Sequence, residues 1–168
     1  SPGLDNSFNS LKTIDAGFLS FSNADEGPPD GPPVILLHGW PYDIHSYVDV
    51  AALLSEAGYR VIVPSLRGYG ATGFLSSETQ RNGQQSALAV DLVALMDALW
   101  RERTKALVSV SGYLIGSRGA NKLPLPPSAE LQWWYQYYFA TERGRAGYET
   151  YRRDFSKLIW QIASPQWD

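Results

Sequence analysis

Runs of aliphatic residues alternate with helical patterns through the first two thirds of the chain. Residues 34–37 are four consecutive large aliphatics with no polar face, which predicts a strand buried on both sides. A helix over 46–57 is predicted next, capped by Ser46 and ended by Gly58. A second buried strand over 60–63 completes a strand–helix–strand unit, and such units pair in parallel with a right-handed crossover.

Further elements are predicted on either side of this unit. Asn82 can cap a helix over 84–99, whose buried stripe is Leu88, Leu92, Leu95 and Leu99. The aliphatic run at 106–110 predicts a third parallel strand. Upstream, the alternating segments 12–14 and 18–21 predict an antiparallel edge hairpin.

The organisation that follows is α/β, a mostly parallel sheet with flanking helices, followed by an aromatic-rich helical tail. Residues 11–115 form the core, 116–127 are a proline-containing connection, and 128–168 are the tail. Half of the aromatic residues of the chain lie in this tail, and the segment from Leu131 to Phe139 lacks Gly and Pro.

Composition excludes several classes of function. The 168 residues carry a net charge of −3, which argues against binding nucleic acid. With no Cys, there is neither a disulfide framework nor a thiolate site. No apolar stretch is long enough to span a bilayer, so a soluble protein without membrane partners is expected, cytoplasmic or periplasmic.

Three motifs point to one family. The run Val34-Ile-Leu-Leu-His-Gly-Trp-Pro41 ends a strand in a sharp turn, where open α/β sheets bind ligands. Arg67-Gly-Tyr-Gly70 opens a glycine-rich loop whose spacing fits no phosphate-binding pattern. With Trp134-Tyr-Gln-Tyr-Tyr-Phe139, these motifs resemble the epoxide-hydrolase and haloalkane-dehalogenase branch of the α/β-hydrolases. The tail would then begin the helical cap of an incomplete hydrolase core.

The resemblance implies hydrolysis of an epoxide or a carbon–halogen bond through a covalent ester, without a cofactor or metal. The backbone N–H of Trp40 would be an oxyanion-hole donor, and His38, Gly39 and Pro41 would contact substrate. The other interpretation of His38 is structural, a side chain that only bonds backbone. His45 is expected at the surface, and no third ligand accompanies the two His residues in a metal-binding pattern.

The cap motif suggests a second set of site residues. By resemblance, Tyr135 would donate a proton to the epoxide oxygen, since a phenol can protonate a developing alkoxide. Trp133 and Trp134 would line a pocket for a small apolar organic substrate. The alternative for all three is a packed aromatic core.

One part of the family pattern is missing. The family places a strand and a nucleophile elbow between the helix that ends here at Leu99 and the strand at 106–110, but only a few residues separate them. Ser117 lies in a near match of the elbow that lacks the first Gly, and no His follows His45. The printed chain is therefore expected to be inactive. The alternative is a non-catalytic binder or a truncated, self-associating relic, with a homo-oligomer as one form.

Overall fold

A computed structural model describes residues 8, 10–100, 106, 108 and 122–164. The chain divides into two compact units, Ser1–Arg103 and Thr104–Asp168, and each is described by itself. The predicted boundaries at 11–115, 116–127 and 128–168 stay predictions.

The first unit carries the sheet and the second is helical where it is described. The elements are β1 (Leu11–Ala16), β2 (Leu19–Glu26), β3 (Pro33–Ile35), a 3-10 helix (Ile44–Tyr47), α1 (Val48–Glu56), β4 (Arg60–Pro64), β5 (Gly73–Phe74), α2 (Gln85–Leu99), α3 (Pro127–Gln132), α4 (Trp134–Phe139) and α5 (Glu142–Ala163). None of these described helices is both long and apolar enough to cross a membrane.

The sheet has the strand order β1-β2-β4-β3, and β5 pairs with β2. β3 and β4 are parallel, with Val34 opposite Val61 and Ile35 opposite Ile62, which confirms the predicted strand–helix–strand unit. The other pairings, β1–β2, β2–β4 and β2–β5, are antiparallel. Of the mostly parallel sheet that was expected, the described residues contain one parallel pair among four. The tight turn between β1 and β2 accounts for the antiparallel pairing of those two strands.

β3 differs from its prediction in length and burial. Only Pro33–Ile35 form the strand, and residues 34–37 are half-buried rather than enclosed on both sides. The reason is position, since β3 ends the described sheet and no described strand lies beyond it. Of the predicted strand 106–110, the structure describes only Ala106 and Val108; both are exposed and outside any strand, and the rest lies outside the described residues.

The predicted helix over 46–57 is confirmed, although its start is different. The cap is Asp43, whose side chain accepts from the N–H of His45, while Ser46 lies inside the 3-10 turn and donates its hydroxyl to the Asp43 carbonyl. An aspartate oxygen that precedes the first turn satisfies an otherwise orphan N–H. Gly58 ends the helix as predicted, with a φ of +89° that favours glycine.

The predicted helix over 84–99 is also confirmed, and it covers one face of the sheet. Leu95 is fully buried and packs in a cluster with Leu19 and Phe21. Asn82 is not the N-cap residue, which is Gln84, but its Oδ1 accepts from the Gln84 N–H at 3.3 Å. α1 covers the opposite face, where Ala51 packs in a cluster with Ala24, Ile44, Val61 and Val63.

The second unit contains a helical hairpin held by aromatic side chains. α4 and α5 meet at Thr141, whose hydroxyl accepts from the Gly144 N–H at 3.0 Å and caps α5. Phe155 lies within 6.3 Å, ring centre to ring centre, of Trp134, Tyr138, Phe139 and Tyr148. The helical tail predicted from the sequence is confirmed over 134–163, with a kink in α5 at Tyr151.

Candidate functional site

The turn that follows β3 is anchored at three successive residues. Leu36 donates its N–H to the Ile62 carbonyl at 3.0 Å and so stays attached to β4. The Leu37 carbonyl accepts from the Tyr47 hydroxyl at 2.8 Å. These contacts fix the chain immediately before the predicted oxyanion turn.

His38 is the third anchor. It is 5% exposed, and its Nε2 lies 3.2 Å from the N–H of Leu66, which donates to it. An Nε2 that accepts carries no proton, so the proton is on Nδ1, 3.4 Å from the Gly39 carbonyl. The Tyr69 ring packs edge-on against His38, with ring centres 4.6 Å apart.

Burial decides the charge of His38. Removal from water lowers the pKa of the imidazole below its ordinary value of 6.5, against the opposing effects of backbone carbonyls and Asp43. The ring is therefore neutral near pH 7, and both ring nitrogens face backbone groups, as the structural interpretation of His38 expects. The substrate contact predicted for it stays a prediction.

Trp40 and its neighbours lie just beyond these anchors. Gly39 is exposed, Trp40 and Pro41 are half-buried, and the peptide bond between the last two is cis. A Cβ built on Gly39 would meet no atom within 4 Å, so the turn is open at this position. The oxyanion role of the Trp40 amide remains a prediction, placed on a well-anchored strand end.

The glycine-rich loop contains a buried ion pair that the sequence analysis missed. Arg67 donates from Nε and Nη2 to the two carboxylate oxygens of Asp91 at 2.6 and 2.7 Å, and both side chains are less than a tenth exposed. Arg67 also donates to the Asn82 carbonyl at 2.9 Å. The signal was present, because Asp91 lies at helical spacing within the leucine stripe, between Leu88 and Leu95.

The side chains around the turn do not form a metal site. His45 is more than half exposed, as predicted, and its Nδ1 lies 3.1 Å from Asp43. Within residues 10–100 and 122–164, no three His, Cys, Asp or Glu side chains are grouped to hold a metal ion.

A groove of about 290 Å³ lies elsewhere in the first unit. None of the predicted site residues lines it; its walls are Phe18, Arg67, Thr79, Gln80, Asn82, Ala87 and Val90. It is therefore separate from the turn.

The predicted cap residues cluster within the second unit. Tyr135 has its ring 6.4 Å from Trp133 and 6.5 Å from Trp134, and all three are half-buried. Trp134 also contacts Phe155, so it takes part in the core of the hairpin. This contact supports the packed-core alternative for Trp134, while the roles of Tyr135 and Trp133 stay predictions. Ser117 lies outside the described residues.

Comparison with known proteins agrees with the resemblance drawn from the motifs. Residues 32–111 match the family described as alpha/beta hydrolase fold. The solved structure of a "putative epoxide hydrolase" from Klebsiella pneumoniae is 54% identical with a TM-score of 0.89, over 98% of this chain and 63% of that one.

Two curated relatives show more local similarity. A haloalkane dehalogenase of Mycobacterium marinum is 45% identical over 60 residues, 36% of this chain and 20% of the relative. Epoxide hydrolase A of Mycobacterium tuberculosis is 34% identical over 92 residues, 55% of this chain and 28% of the relative. The chain therefore spans less than a third of the length of either relative.

Proposed function

This chain is an α/β-hydrolase-fold protein of the epoxide hydrolase-like kind, and we propose that its His38–Pro41 turn supplies an oxyanion-hole amide for hydrolysis of an epoxide or a carbon–halogen bond. The observation that carries this proposal is the anchoring of the turn. Leu36, Leu37 and His38 are each held by a hydrogen bond to a different part of the first unit. A donor on such a support is already oriented before charge develops.

The proposed reaction has two stages. A carboxylate oxygen attacks a substrate carbon, and the electron pair of the breaking bond passes to the epoxide oxygen or leaves with the halide. Water that has lost a proton to a His then attacks the ester carbonyl, whose electron pair moves onto its oxygen. The N–H of Trp40 would donate to that oxygen, an interaction worth about 3–4 kcal/mol of barrier in well-built oxyanion holes. The electron pair then re-forms the carbonyl and expels the product alkoxide, which takes the proton of the added hydroxyl and so restores the carboxylate.

Tyr135 would act in the first stage when the substrate is an epoxide. Its hydroxyl would give a proton to the alkoxide as the ring opens, and the proton released by the hydrolytic water would finally replace it. The other substrate class, a carbon–halogen compound, needs no such donor because a halide leaves as a stable anion. Removal of the Tyr135 hydroxyl would therefore slow the opening of an epoxide but not the loss of a halide.

The printed residues supply only part of this machinery. No nucleophile elbow lies between Leu99 and the segment at 106–110, and no His follows His45. We therefore assign to these 168 residues a prepared oxyanion donor without turnover of their own.

An acetate titration tests the donor. Acetate carries the carboxylate that the elbow would provide, so it should shift the backbone N–H resonance of Trp40 saturably in an NMR spectrum, while chloride at equal ionic strength should not. The N–H of Tyr59, which donates to Leu54 at the far end of α1, is the internal control. Equal shifts at Trp40 and Tyr59, or none at either, would reject the oxyanion assignment.

One observation favours self-association as a second candidate. The aliphatic residues 34–37 are half-buried at the end of the described sheet, where an edge can pair with another chain. Analytical ultracentrifugation at rising protein concentration should then show a species heavier than the 18.6 kDa monomer. A single species of monomer mass throughout would exclude this candidate.

A further inference from the structure

The carbonyl of Leu37 has an unusual partner for a strand end. Backbone groups of successive residues point to opposite edges of a strand. The Leu36 N–H points to β4, so the Leu37 carbonyl points to the edge where the described chain has no further strand. The Tyr47 hydroxyl, 2.8 Å away, donates a hydrogen bond to that carbonyl instead.

Tyr47 is well placed to hold it. The residue ends the 3-10 helix that precedes α1, and its half-buried side chain packs against the cluster that contains Ala51 and Val61. The hydroxyl therefore extends from a ring fixed in the core. Its bond to Leu37 closes the base of the loop 37–47, and Trp40 lies within that loop.

Few soft torsions separate this bond from the Trp40 amide. A peptide unit is planar, so fixing the Leu37 carbonyl fixes the whole unit between Leu37 and His38. The His38 ring is held in turn by the N–H of Leu66. The backbone torsions left free between these anchors and the Trp40 N–H are chiefly those of Gly39.

We propose that Tyr47 is a positioning residue, whose hydroxyl orients the backbone N–H of Trp40 by holding the Leu37 carbonyl. The value of this orientation for catalysis rests on the proposed function. The orientation of the Trp40 N–H itself can be measured without any reaction. Tyr47 touches neither substrate nor reacting atoms in this proposal and acts through the backbone of the turn.

The test compares two single-atom deletions in the 168-residue protein. Tyr47→Phe removes the hydroxyl, and Tyr59→Phe removes the hydroxyl of an exposed tyrosine as the matched control. A net hydrogen bond of ordinary strength corresponds to roughly fivefold in a local opening equilibrium. Tyr47→Phe should therefore make amide hydrogen exchange at Leu66, whose N–H donates to the His38 ring of this turn, about fivefold faster.

The same variant should move the carbonyl ¹³C resonance of Leu37 and change the residual dipolar coupling of the Trp40 N–H. Exchange in the β3–β4 ladder at Val61 and Ile62 should stay as in the parent protein, because a packing role of Tyr47 would loosen that ladder too. Unchanged Leu37 and Trp40 signals, or a uniform change that includes the ladder, would overturn the proposal.

A second variant covers the case in which Tyr47→Phe fails to fold. A monofluorinated tyrosine at position 47 keeps the ring and gives a stronger hydroxyl donor that stays protonated near neutral pH, so the Leu37 carbonyl resonance must shift further in the hydrogen-bonded direction. Failure to shift would overturn the proposal. The acetate titration is read separately. Absence of acetate binding at Trp40 in the parent protein rejects the proposed function, whereas an altered Trp40 orientation in Tyr47→Phe supports the positioning role whether or not acetate binds.

Discussion

Protonation of His38 makes the folding stability of the first unit depend on pH. Burial lowers its pKa below 6.5, so the unfolded chain takes up a proton on His38 at a higher pH than the folded chain does. Stability from this residue is therefore fully present above about pH 6.5 and is lost as the pH falls toward the lower folded-state pKa. Protonation would also place a proton on the Nε2 that accepts from Leu66.

The change His38→Gln should reduce this acid sensitivity, because glutamine can accept from Leu66 without titrating. The free energy of unfolding, measured in urea at about pH 7.5 and about pH 5.5, should fall less for the variant than for the parent protein. His45→Gln, at an exposed position, is the control and should preserve the parental difference. An identical pH dependence of His38→Gln and the parent would contradict the assignment.

Arg67 and Asp91 form the most consequential charge pair in the first unit. Their side chains are 6% and 4% exposed, so removal of either partner leaves a charge that water cannot solvate. Asp91→Asn should lower the free energy of unfolding by about 3–5 kcal/mol. The double change Arg67→Met with Asp91→Leu should recover most of that loss, because two apolar side chains need no partner.

Urea unfolding of Asp91→Asn, of the single variants Arg67→Met and Asp91→Leu, and of the double variant measures this coupling. The surface pair Arg145–Glu149, whose side chains are 80% and 59% exposed, gives the comparison, and Glu149→Gln should leave stability almost unchanged. A small loss on Asp91→Asn would mean that water reaches the pair.

At the scale of an element, the corner between α4 and α5 requires a residue without a Cβ at position 144. Gly144 is buried in the first turn of α5, and a Cβ there would overlap the Tyr138 carbonyl. Gly144→Ala should therefore destabilise the hairpin by about 1–3 kcal/mol, despite the better helix propensity of alanine. Thermal unfolding followed by far-ultraviolet circular dichroism reports the change, with Gly83→Ala as control because its Cβ would meet nothing within 4 Å. Equal midpoints for the two variants would refute the steric argument.

Local pattern predicted the elements whose determinants are local. The period of the leucine stripe predicted α2, and Gly58 marked the end of α1 because its positive φ favours glycine. Burial of residues 34–37 could not be predicted in this way, since it depends on which strand lies beside β3.

The ion-pair and hydrogen-bond partners of the site residues could not be predicted from the sequence either. The sequence shows Asp91 on the apolar face of a helix, but only the fold brings Arg67 to it from another loop. Likewise, no pattern in the sequence near Tyr47 predicts that its hydroxyl donates to the Leu37 carbonyl.

For the whole molecule, the proposed oxyanion donor lies among the printed residues, whereas the nucleophile elbow and the later His of the family pattern do not. The first unit anchors the Trp40 turn, and the second holds the Tyr135 cluster. The solved relative at 54% identity is longer, since this chain covers 63% of it. Its similarity supports the fold, whereas turnover depends on a nucleophile and a base.

We therefore expect a protein of these 168 residues to show no enzyme-dependent turnover of epoxides, haloalkanes or esters. Ester formation needs a carboxylate held on a strained elbow, and ester cleavage needs a His to activate water. An oxyanion hole alone can retain a rate of roughly 10³-fold over water, but only when a substrate site is fully formed. Initial rates should be measured on protein with a verified mass of 18.6 kDa. A saturable rate that Trp40→Pro abolishes would contradict this expectation, because that change removes the proposed amide donor. Activity confined to a heavier protein that contains this sequence would instead place the nucleophile and base in residues beyond those printed.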